Sequence, residues 1–154
     1  MAEYNVGYLP QTTDNTCWAA STAMLVNFVQ GTSYGDMDIV AAMEAADGEG
    51  TYRDGATQPE LRHVAEVFRF NQIYPVCQDV NGWAEWLDSY GPLLIQVPGN
   101  AYHSIVIAAV RTDQCPEFHV LDPWNGELWL DFDDLNSRYE LAGAGWENNV
   151  YSTR

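Results

Sequence analysis

The chain has 154 residues, 47% of them hydrophobic and 18% charged, with six Trp, nine Tyr and five Phe, a globular composition long enough for one core. Its formal net charge is −16, it contains no lysine, and its six arginines are scattered singly from Arg53 to Arg154. Nucleic acid is therefore excluded as an expected partner, because phosphate binding needs clustered cations, and anionic lipid surfaces would repel the chain.

The acidic Met-Ala-Glu start is followed by no long apolar stretch, so neither a secretory signal nor membrane insertion is expected. The expected location is the cytoplasm, or outside it as an effector exported without a signal peptide. Three cysteines, Cys17, Cys77 and Cys115, are too few and odd in number for a disulfide framework.

Residues 17–30 predict a helix that is apolar nearly all round, with Gly31 placed to end it, and such a helix belongs in the centre of a domain. Residues 36–46 form a second helix candidate, and 47–56 (DGEGTYRDGA) a Gly- and Asp-rich loop. A third helix is expected over 57–70, where Thr57-Gln58-Pro59-Glu60 matches a capping box, and a fourth over 80–90. After Gly91-Pro92 the pattern changes to short β-rich runs at 93–97, 103–111, 118–121, 127–130 and 148–151. The order, helices first and antiparallel strands second, predicts a single α+β domain over 1–154 in which a central N-terminal helix packs on a C-terminal antiparallel sheet. The acidic run Asp131-Phe132-Asp133-Asp134 fits no EF-hand spacing and reads better as a helix start, so no metal and no cofactor are expected.

Chemistry concentrates in Gln11-Thr-Thr-Asp-Asn-Thr-Cys17-Trp18-Ala19-Ala20-Ser21. Cys17 falls in the first turn of the buried helix, where unpaired N–H groups and the helix dipole favour a thiolate. Gln11, six residues earlier, is far enough away for the chain to curl back. Its amide can then meet a developing oxyanion together with the backbone N–H of Cys17. Of three histidines, His103 opens the most apolar strand, and a hairpin turning between Thr112 and Asp113 would set it directly opposite Asp122. Asp122 would then fix the tautomer of His103 and leave the other ring nitrogen for Cys17. His63, mid-helix, and His119, on the strand face opposite Asp122, read as structural, as do Cys77 and Cys115.

The segment Gln11 to Ser21 resembles the papain-like cysteine peptidases, whose motif is a glutamine, five residues, then Cys-Trp-Ala, a small residue and Ser on a central helix. It looks closest to the short bacterial members, the effector proteases and the peptidases that trim bacteriocin leaders. That resemblance implies Cys17 as nucleophile, His103 as base, Asp122 in a place commonly held by Asn, and Trp124 as a shield over the His–Asp contact. It implies a protein or peptide substrate as partner, with a host or competitor protein as the target if the chain is an effector toxin. Three readings share this ground: a peptidase, a glutamine deamidase or acyltransferase toxin using the same thioester, and an inactive peptide-binding module. The lack of lysine fits delivery into a eukaryotic cell, by denying ubiquitin ligases an acceptor; GC-rich coding or an acidic proteome is the alternative cause.

Overall fold

The computed structural model describes residues 2–50, 52, 54–73, 79–98, 103–141 and 149–154. Cys77, Asn148 and parts of the 47–56 loop lie outside the described residues. Helix α1 (Cys17–Gln30) runs over the expected span and stops at Gly31, whose φ of 67° is open to glycine at little steric cost. Helix α2 (Asp36–Asp47) follows, then α3 (Gln58–Val67). The capping box of α3 forms as expected: the Thr57 N–H donates to Glu60 Oε1 at 2.9 Å, and the Glu60 N–H to Thr57 Oγ1 at 3.4 Å. This helix ends before Phe70 because Arg69 turns left-handed, with φ 61°.

Among the described residues, seven strands form one antiparallel sheet in the order β2 (Asn71–Ile73), β7 (Val150–Ser152), β3 (Leu93–Val97), β4 (His103–Arg111), β5 (Glu117–Asp122), β6 (Gly126–Asp131), with β1 (Ala2–Glu3) also paired to β4. Strand β4 is long enough to serve two partners along one edge. Residues 103–107 pair with β3, while Ala109 and Val110 pair with β1. The expectation that the sheet comes from the C-terminal half alone needs correcting at β1 and β2. Two- and three-residue strands are too short to show an alternating pattern, and only pairing with β4 and β7 defines them.

Both faces of the sheet are covered, which is why its central strands read as unbroken apolar runs rather than alternating ones. On one face α1 supplies Trp18, Ala19, Ala23, Met24 and Leu25 against Leu94, Val106, Ala108 and Leu121. On the other, Trp83 and Leu87 of α4 (Val80–Tyr90) and Leu135 and Tyr139 of α5 (Phe132–Tyr139) cover Ile95, Ile105, Ile107, Phe118 and Val120. Asp131 caps α5 by accepting the Asp134 N–H at 2.8 Å, as the helix-start reading of that acidic run requires.

The hairpin register differs from expectation. Strands β4 and β5 are joined by residues 112–116 rather than by a two-residue turn, and a bulge lies between Ile107 and Ala109. Pairs Val106↔Leu121 and Ile107↔Val120, continued by one residue, set Asp122 opposite Ile105 rather than His103. His103 is therefore the diagonal neighbour of Asp122 on the same face, a separation that an imidazole can span. The bulge also flips the strand's alternation, so Val110 joins the core beside α4 and α5, on the face opposite Ala108.

Met24 is fully buried between α1 and the sheet. Met24→Ala is expected to destabilise the fold by about 2–5 kcal/mol, read from denaturant unfolding, by leaving a cavity under the helix that carries Cys17.

Candidate active site

Cys17 is the first residue of α1, 8% exposed, and no charged residue occupies that helix's first turn. Its N-cap residue, Thr16, makes no capping hydrogen bond with its side chain, a contact ordinarily worth about 1 kcal/mol. The hydroxyl of Ser21, one turn into α1, donates to the Ser104 carbonyl at 3.1 Å, tying the helix to β4 beside His103. The start of α1 and the start of the interior strand β4 are thus held together.

His103 Nε2 lies 2.8 Å from Asp122 Oδ1, with the imidazole 10% exposed and the carboxylate 0%. The His103 side chain is also hydrogen-bonded with Cys17, and with Nε2 engaged by Asp122 the ring nitrogen left for the sulfur is Nδ1. Cys17, His103 and Asp122 are therefore one connected chain of side chains. Burial alone would lower the His103 pKa, but the hydrogen bonds and negative charge of Asp122 and Cys17 outweigh it and push the value up to about 9.

Asp122 collects donors from three parts of the chain. Oδ1 takes His103 Nε2 and the N–H groups of Trp124 (2.9 Å) and Asn125 (3.2 Å); Oδ2 takes Asn125 Nδ2 (2.9 Å) and the Tyr139 hydroxyl (2.7 Å). Burial would raise its pKa, but the hydrogen bonds from His103, Asn125 and Tyr139 and the charge of His103 hold it well below the ordinary carboxylate range. Burial, the Asp122 hydrogen bond and its negative charge push the Tyr139 phenol far up, so it remains a donor.

Gln11 is drawn to this region by its backbone: its N–H donates to the Pro123 carbonyl at 3.1 Å, while the Tyr8 hydroxyl donates to the Asp122 carbonyl at 2.9 Å. Its side-chain Nε2 donates to the Thr13 carbonyl at 2.8 Å, and Oε1 is buried without a partner. A groove of about 410 Å³ lies between this segment and the turn after β5, lined by Tyr8, Gln11, Thr13, Trp124 and Asn125 among others. The expected shielding role of Trp124 takes a different form. Trp124 is 58% exposed and lines the groove, while its backbone N–H donates to Asp122.

The remaining candidates sit apart. His63 pairs with Asp47 at 3.1 Å on an exposed helix face. His119 stacks on Trp129 with ring centroids 4.5 Å apart and contacts Glu127 at 2.8 Å. Cys115 is exposed in the loop before β5. The sequence alone did not single out Tyr139 or Asn125. Asn125 directly follows Asp122-Pro123-Trp124 and carried a usable turn signal, whereas Tyr139 is linked to the site only by the docking of α5.

A family model described as papain-like cysteine protease AvrRpt2 matches residues 1–138. The chain belongs to this family. It is a cysteine protease of papain-like α+β fold. Among solved structures, it is similar to the peptidase domain of Streptococcus ComA, a bi-functional ABC transporter involved in a quorum-sensing pathway. That match has a TM-score of 0.65 and 15% identity and covers 97% of this chain and 100% of the other. It is also similar to a double glycine motif protease from an AMS/PCAT transporter, solved in complex with the leader peptide, with a TM-score of 0.60 and 14% identity, covering 97% of this chain and 91% of that one. A search of curated proteins finds no match.

Tyr139→Phe removes one hydrogen bond to a buried charge and is expected to cost about 1.5–3 kcal/mol in denaturant unfolding. The pH dependence of stability has two limbs. His103, raised from 6.5 to about 9, contributes stability that is complete below pH 6.5 and lost as pH rises through 9. Asp122, held below its ordinary 3.8, contributes stability above that value, lost as pH falls through its depressed folded-state pKa. Urea midpoints followed across pH should show both limbs, and Asp122→Asn should flatten the acid one.

Proposed function

We propose that this protease cleaves peptide bonds through Cys17, His103 and Asp122, working as one hydrolase domain over residues 1–154. The observation that carries the proposal is the continuous hydrogen-bonded chain from Asp122 through His103 to Cys17 at the N-terminus of α1. In this scheme the thiolate of Cys17 attacks the scissile carbonyl carbon and a tetrahedral oxyanion forms. The imidazolium of His103 gives its proton to the leaving amine, the C–N bond breaks and a thioester remains. Neutral His103 then takes a proton from water, the resulting hydroxide attacks the thioester, and the acid product leaves as the thiolate returns. Asp122 keeps the ring orientation of His103 through both halves and stabilises the imidazolium each time it forms.

The oxyanion is assigned to the Cys17 backbone N–H and the Gln11 amide, whose nitrogen carries a second hydrogen beyond the one given to Thr13. The substrate is a peptide or protein segment, with the groove beside Gln11 and Trp124 as part of its path. A solved neighbour that holds a leader peptide supports a peptide substrate, and the family match favours peptide hydrolysis over deamidation or acyl transfer by the same thioester. A lysine-free chain suits a protease that acts on proteins of another cell.

Mass spectrometry of peptide mixtures incubated with the protein separates the readings, since hydrolysis splits a peptide whereas deamidation adds about one dalton. Cys17→Ala and His103→Ala should lower turnover about 10⁶-fold, and Asp122→Ala by a smaller factor, about 10⁴. Brief iodoacetamide treatment should label Cys17 ahead of the exposed Cys115. Equal labelling of the two would overturn the assignment of the nucleophile.

A further inference from the structure

We infer that Asp36 is a positioning residue for the Cys17 reaction, holding the loop that sets Gln11 against Cys17; this rests on the hydrolase reading above. Asp36 is the first residue of α2 and 3% exposed. Its Oδ2 accepts the Thr12 N–H at 2.7 Å and the Thr16 hydroxyl at 2.7 Å. The Thr12 hydroxyl lies 3.0 and 2.9 Å from Oδ1 and Oδ2, and the Met37 N–H reaches Oδ1 at 2.8 Å. Thr12 follows Gln11 and Thr16 precedes Cys17. One carboxylate therefore grips both ends of the segment between the two assigned oxyanion donors.

A role in starting α2 does not account for these contacts. Asp38 already supplies the usual carboxylate there, accepting the Gly35 N–H at 2.8 Å. Asp36 instead reaches across to a different element. Burial works against its charge, but the hydrogen bonds from Thr12, Thr16 and Met37 hold its pKa below the ordinary value, so it is an anion at neutral pH.

Thr16 shows what the contact does. A threonine at a helix N-cap ordinarily turns its side-chain oxygen onto an N–H of the first turn. Thr16 makes no such bond, and its backbone, at φ −106° and ψ 24°, is not extended as the N-caps of α2 to α5 are. Its hydroxyl is given to Asp36 instead, which ties the residue before Cys17 to α2 rather than to the first turn of α1. Oxyanion stabilisation depends on donors fixed to within fractions of an ångström, and a loop held at both ends provides that.

Two reactions at Cys17 separate positioning from mere folding. With p-nitrophenyl acetate the sulfur attacks the ester carbon, a tetrahedral oxyanion forms, the C–O bond breaks with p-nitrophenolate leaving, and an S-acetyl enzyme results. With iodoacetamide the thiolate displaces iodide from a saturated carbon and no oxyanion develops. In the full-length protein, Asp36→Asn and Thr16→Val should lower the p-nitrophenolate burst rate about 10- to 100-fold. Alkylation at its alkaline plateau should stay within about twofold of wild type. Thr16→Ser, which keeps the hydroxyl, should lose less than Thr16→Val, and this pair carries the test if Asp36→Asn does not fold. Equal falls in both reactions, or no fall in the burst, would overturn the role given to Asp36. A wild-type protein that is alkylated at Cys17 yet gives no burst sensitive to Cys17→Ala would overturn the hydrolase reading itself, and the inference with it.

Discussion

The burial of the Asp122 carboxylate, with no exposed surface, is the constraint that organises the site. Removing an ion from water costs several kcal/mol even after relaxation, and the cost is offset only when the charge is paired and its lone pairs are filled. Five donors do this, drawn from β4, from the turn at Trp124 and Asn125, and from Tyr139 of α5. Each donor fixes the place of its own segment. The turn after β5 must close tightly enough to aim two N–H groups at one oxygen, and α5 must dock with its last turn over the sheet. The same saturated carboxylate holds the His103 imidazole in place and favours its charged form, so the contacts that stabilise the buried carboxylate also fix the base of the proposed reaction.

Placing the sulfur against the imidazole is a separate problem, because α1 and α5, which carries Tyr139, pack on opposite faces of the sheet. Small residues let α1 lie close to β4, and the Ser21 hydroxyl on the Ser104 carbonyl sets its position along that strand. His103 is the first residue of β4, an interior strand, and its hydrogen bond with Cys17 joins that strand's start to the N-terminus of α1. The bulge between Ile107 and Ala109 shifts the β4–β5 register by one residue and turns Val110 to the face opposite Ala108.

The segment from Tyr8 to Thr16 behaves as a strap across this junction. It is tied to the Asp122 turn through Tyr8 and Gln11, and to α2 through Thr12 and Thr16. Few of these ties are apolar. A loop held by directional hydrogen bonds has a defined shape without a core of its own, which is what the oxyanion role proposed for Gln11 requires.

How much of this the sequence determined by itself follows from the range of each interaction. Helix α1 with its Gly31 stop, the α3 capping box, α4, β3 and β4 depend on periodicity and local caps, and their spans were legible in the amino acids. The Gln11-to-Ser21 segment was legible too, because a cysteine at the head of an apolar helix is a local pattern. Tertiary structure alone decided the rest. The five-residue connection and the bulge set the His103–Asp122 register, and strand pairing over long sequence separations placed β1 and β2 in the sheet. Asp36 and Tyr139 gave no signal, since each acts on residues 17 to 24 positions away, through contacts that exist only once α2 has packed beside α1 and α5 on the sheet. Local hydrogen bonding and side-chain period are written residue by residue along the chain, whereas the partner of a buried carboxylate is chosen by packing.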